Sequence, residues 1–134
     1  MKTKQLIRLS AFILAAVLFV FANNVMAQKK PGPWNIPAKY KTMKGKGDVA
    51  TGKELYAKHC RSCHGAKGLG DGPKAAQLKT SCGDFSSKDF QAGTDGEIYY
   101  QSIIGRDEMP NYEKKIPDEE DRWALVAFIR TLKK

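Results

Sequence analysis

Cysteine and histidine are scarce in this chain: its 134 residues hold three of the first and two of the second. Three cysteines cannot close a disulfide framework without leaving one over. Long apolar runs are missing too, apart from the 14 residues 9–22. A membrane-spanning helix needs about 20 apolar residues, and Asn23-Asn24 stops this run from growing. No stretch alternates apolar and polar residues with period two, so nothing in the pattern asks for a sheet. There is no internal repeat. Aromatic and basic residues are not interleaved in the manner that grips nucleic acid, and no nucleic-acid partner is expected.

What is present at the start is a secretory signal. Lys2, Lys4 and Arg8 precede the apolar run without any acid, and Val25-Met26-Ala27 follows it with small or modest side chains. Cleavage after Ala27 is expected, with export to the periplasm or an equivalent compartment. No cysteine stands there to take a lipid. Membrane association is expected only if this segment is retained or through a membrane-bound partner. The remaining 107 residues carry a net charge of +6, and their number fits one small domain.

Residues 28–47 read as an extended basic arm, since three prolines and three glycines oppose regular structure and repeated lysines oppose burial. Trp34, Ile36 and Tyr40 are the residues able to pin it to a surface. Residues 48–134 then read as the domain proper. Thr51-x-x-Glu54 and Thr94-x-x-Glu97 are capping-box patterns that open two helices, the second stopping at Gly105. Pro73 suits the first position of a short helix. Residues 79–93 look irregular. Asp118 caps a last helix whose core face is Trp123, Leu125, Val126, Phe128, Ile129 and Leu132. The expected class is all-α.

The chemistry is concentrated in Cys60-Arg-Ser-Cys63-His64. Cys-x-x-Cys-His in an exported chain is an attachment signal for a c-type haem. Two thiols three residues apart share one face of a helical turn and can add to the two vinyl groups of one porphyrin, leaving Cys82 as the remaining thiol. His64 follows as an iron ligand, which must be neutral to bind. His59, beside Cys60, is read as turned away from the metal. Met109, braced by Pro110, is the candidate for the second axial position, and a thioether there favours ferrous iron.

These residues resemble class I monohaem cytochromes c over residues 48–132. The matching pieces are Gly52-x-x-x-Tyr56-x-x-x-Cys60-x-x-Cys63-His64, Gly70-Asp-Gly-Pro73, Met109-Pro110 and the segment from Trp123 to Leu132. The resemblance implies a small fold of three to five helices around one covalently bound haem c, with the first and last helices crossing. It implies close approach at Gly52, Tyr56 against Phe128, and a Pro73 carbonyl accepting a hydrogen bond from His64. It also implies an electron carrier rather than an enzyme, free or as the electron-transfer subunit of a larger oxidoreductase. The lysine surplus, ordinarily a solvated surface, also offers Lys67, Lys74 and Lys79 near the expected haem edge to acidic patches on redox partners. Cys82 and the basic arm depart from the family pattern. Two rival readings stand beside this one. In the first, the iron keeps an open position and serves as a peroxidase or gas sensor. In the second, Cys60, Cys63, His64 and Cys82 hold zinc.

Overall fold

The computed structural model describes residues 28–134, and the expected signal segment 1–27 lies outside them. Six α-helical segments run in order: α1 (Ala38–Lys41), α2 (Val49–His59), α3 (Arg61–His64), α4 (Lys88–Gln91), α5 (Asp95–Tyr99) and α6 (Glu119–Thr131). α2 and α3 meet at Cys60, and α5 runs on into a wider π turn at Tyr100–Ile104, so these make five helical units. Pro73 does not start a helix; a single 3-10 turn at Ala75–Gln77 follows it. Among the described residues there is no strand, only isolated bridges between Lys29 and Thr80 and between Arg106 and Met109.

Local chemistry accounts for the helix boundaries. α2 starts ahead of the expected Thr51 box because the Asp48 carboxylate accepts the Thr51 amide at 2.7 Å. The Thr94 box forms as expected: Thr94 accepts from the Glu97 amide at 3.2 Å and Glu97 accepts from the Thr94 amide at 2.7 Å. Within the stretch expected to be irregular, Ser87 accepts from the Phe90 amide and starts α4. Asp118 stands at the α6 N-cap without a side-chain capping bond, and Glu119, Glu120 and Asp121 fill the first turn, where the helix dipole favours acids.

The core lies where α2 crosses α6. Tyr56, Ile98, Ile103, Ile116, Leu125 and Ile129 are fully buried there. Tyr56 packs on Phe128 with ring centroids 5.1 Å apart, and Tyr99 on Trp123 at 4.7 Å. Gly52 makes the crossing possible, because a Cβ there would overlap the Ala124 carbonyl oxygen and stand 2.9 Å from the Phe128 Cβ. Gly52→Val is therefore expected to cost about 3 kcal/mol or more, read as a lower urea midpoint with an unchanged slope. Two arginines tie the rest of the chain to α6. Arg130 donates to Asp95 at 2.7 Å and to the Gly93 carbonyl at 2.6 Å; Arg122 donates to the Ile116 carbonyl at 2.7 Å and the Glu113 carbonyl at 2.8 Å. No helix among the described residues is long and apolar enough to cross a membrane.

Residues 28–37 do not hang free. They lie along the body as a strap, with the Lys29 amide donating to the Lys79 carbonyl and the Ser81 amide to the Lys29 carbonyl, both at 3.0 Å. One turn of helix, α1, then brings Tyr40 against Tyr99 and Tyr100.

Candidate haem site

The end of α2 bends at Cys60, whose backbone lies at φ −115° and ψ −38°, and α3 takes up the next turn. The turn is locked from both sides. His64 and Gly65 donate their amides to the carbonyls of Cys60 and Arg61, each at 2.9 Å, and the buried Tyr56 hydroxyl donates to the Gly65 carbonyl at 2.8 Å. A helix end leaves carbonyls without partners. Here the glycine-rich loop returns to meet them: Lys74 donates to Ser62, Gly72 to Cys63 and Gly70 to His64, at 2.9, 3.1 and 2.9 Å. Cys60, Cys63 and His64 are thereby fixed on one turn.

That turn forms part of the wall of a cavity of about 490 Å³, to which Met109 also contributes. The size lies within the range of roughly 300–1,000 Å³ usual for ligand pockets. Met109 ends a tight turn in which its amide donates to the Arg106 carbonyl at 2.8 Å. Gly105, at φ +68°, starts it; a Cβ there would stand 2.5 Å from the Pro110 carbonyl oxygen, and a side chain is disfavoured at that φ in any case. Tyr112 closes the wall nearby, its hydroxyl donating to the His59 carbonyl at 2.9 Å.

His64 is 7% exposed, and its Nδ1 is buried without a hydrogen-bond partner. The bond to the Pro73 carbonyl that the resemblance implies is absent. Pro73 is not part of the cavity wall, although Lys74 is. The imidazole is instead held by Phe85, stacked at 4.3 Å and 22°, with Phe90 stacked behind it at 4.7 Å. Burial pulls the His64 pKa down to about 4, which leaves the ring neutral and its nitrogens available at neutral pH. The Cys60 thiol, also buried, is pushed up to about 12 by desolvation and then by the neighbouring Cys63. An orphaned neutral imidazole, two thiols on the same turn, apolar rings around them and a thioether on the wall together suit a haem.

Cys60, Cys63, His64 and Met109 are thus brought to one cavity, while Pro73 is not. Three further wall residues lie outside the expected haem set, of which Cys82 is grouped with the motif only in the zinc reading. Phe85 gave no signal. Cys82 lies on the same wall, half-buried, its pKa raised first by desolvation. His59 also borders the cavity, its ring edge-on to Tyr112 at 5.7 Å. Among the described residues no three His, Cys, Asp or Glu side chains form a group able to hold a metal ion, which removes support from the zinc reading.

An all-helical fold with Cys-x-x-Cys-His on the wall of such a cavity defines a c-type haem protein. The family model for cytochrome c matches residues 49–133, and the chain belongs to that family. It is 33% identical over 94 residues to cytochrome c-554(547) of Halothiobacillus neapolitanus, covering 65% of this chain and 99% of that protein. The solved c-type cytochrome KustC0563 is also 33% identical, with a TM-score of 0.53 over 62% of this chain and 98% of that one. A chain of the Kuenenia stuttgartiensis reducing HAO-like protein complex Kustc0457/Kustc0458 shares the fold with a TM-score of 0.56 at 24% identity. That likeness covers 77% of this chain and 48% of the other. Family membership carries covalently bound haem c and a role in electron transfer.

Proposed function

We propose that this protein is an exported carrier of single electrons, with haem c attached through Cys60 and Cys63 and with His64 and Met109 as axial ligands. The observation that carries this reading is the meeting of Cys60, Cys63 and His64 with Met109 on one cavity wall although they lie far apart in sequence. When bound, haem c supplies a one-electron couple between ferric and ferrous iron. His64, kept neutral by burial, offers a nitrogen lone pair; Met109 offers a soft, uncharged sulfur that favours the ferrous state. Phe85 and Phe90 hold the imidazole in place and keep water from it. No side chain on the wall needs to act as a catalytic acid, base or nucleophile.

The signal segment would deliver the mature chain to the periplasm after cleavage at Ala27. Lys74 at the cavity and the general excess of lysine would draw acidic patches of redox partners, an attraction that weakens with salt. The decisive test is the absorption spectrum of ferric protein made with haem-maturation machinery. A low-spin spectrum with the weak long-wavelength sulfur-to-iron band is expected. A high-spin spectrum without that band would overturn Met109 ligation and return the open-iron reading.

A further inference from the structure

The turn that carries Met109 is held from both flanks. Arg106 donates from Nη1 to the Pro33 carbonyl at 2.7 Å and from Nη2 to the Gly32 carbonyl, with its guanidinium 4.0 Å over the Trp34 ring. Glu108 accepts the Lys79 amide at 3.2 and 3.0 Å on its two oxygens and the Thr80 amide at 3.0 Å. The two anchors are joined to each other. The strap pairs with the loop through Lys29, Lys79 and Ser81, and Gln28 donates to the carbonyls of Leu78, at 3.0 Å, and Ala75. Turn, strap and loop therefore close a ring of hydrogen bonds. Pro31 and Trp34 of the strap belong to the cavity wall, yet the strap lies ahead of the residues that match the cytochrome c family.

We infer that the strap is a brace for the sulfur ligand, with Arg106 and Glu108 as positioning residues for Met109. This rests on the reading of Met109 as an axial ligand. A methionine side chain has three rotatable bonds, and its turn contains Asp107 at φ +51°, a conformation that a non-glycine residue adopts at a cost. Left alone, such a turn would sample many arrangements in which the sulfur is not presented. Fixing its backbone through a planar, two-pronged cation on one side and a carboxylate on the other prepares the ligand before it binds, so less ordering opposes it. The brace thus sets how firmly the sulfur resists replacement by an external base.

Imidazole is the probe, added to ferric holoprotein while the sulfur-to-iron band is followed. Arg106→Ala and Trp34→Ala are expected to lose the band at about tenfold less imidazole than the parent, and Arg106→Lys at an intermediate concentration. Asp48→Ala, which removes the α2 cap away from the turn, serves as the control for general weakening and should keep the parent midpoint. Parent midpoints in both Arg106→Ala and Trp34→Ala, or an equal shift in Asp48→Ala, would overturn the brace. Absence of the band in the parent itself would instead overturn Met109 ligation, and the brace with it.

Discussion

Cys60→Ser with Cys63→Ser should yield a protein from which acid and organic solvent extract all of the pigment, whereas the parent keeps one haem per chain. A serine hydroxyl does not add to a porphyrin vinyl group, so attachment fails even where His64 still finds iron. The larger effect falls on the fold. Without haem the cavity of about 490 Å³ loses the apolar contacts that a macrocycle would make, and a core of this size is marginal unaided. The whole stability of a domain this size is about 5–15 kcal/mol. Haem-free variant should accordingly lose most of its helical far-ultraviolet signal, and a native-like helical signal in that material would refute the dependence. Thiolate, not thiol, is the reactive form, and in the closed fold Cys60 is held up to about 12.

Met109→Ala is expected to lower the reduction potential by on the order of 0.1 V or more, within the roughly 0.8 V over which axial ligands tune haem iron. The sulfur-to-iron band should vanish and the ferrous protein should begin to bind carbon monoxide. The sign follows from the ligand: a neutral, soft thioether stabilises the ferrous state, and its removal leaves the ferric state relatively favoured. The turn itself should survive, since its hydrogen bonds run through Arg106, Glu108 and backbone groups, while the Met109 side chain adds only apolar packing against the core. Spectroelectrochemical titration of the two proteins measures the shift. An unchanged potential and band would remove Met109 from the iron. Met43, the other methionine of the described chain, packs against the hydrophobic core and is not among the cavity residues.

Much of this molecule can be read from local chemistry. The Thr94 box, the apolar face of α6 and the Cys60–Cys63–His64 turn all depend on residues within a few positions of one another. What eludes the sequence is set by contacts through space. Phe85 stacks on His64 because the Gly68 carbonyl accepts its amide at 2.7 Å and draws that segment over the motif. Prolines, glycines and lysines mark residues 28–37 as extended but do not say that their carbonyls would meet Arg106. Asp48 takes the cap from Thr51 because its carboxylate reaches the Thr51 amide, a competition that pattern alone does not decide. The absent Pro73 bond belongs with these: the proline is in sequence where the resemblance asks, but the ring it should meet is packed on Phe85 instead.

The π turn at Tyr100–Ile104 sets where the chain goes next. A stretch wound more loosely than the α-helix it continues holds one residue more than that helix would need over the same rise. Loss of a single codon there would let α5 run on at its ordinary pitch. Residues beyond the turn would keep their facing, whereas loss of a residue from α5 ahead of it would swing every later side chain by about 100° about the helix axis. Ser102 and Ile103 would leave the inward face they now occupy, and the chain would arrive at Gly105 pointing elsewhere. The aim of the segment that carries Met109 is thus written in chain length as much as in side-chain identity.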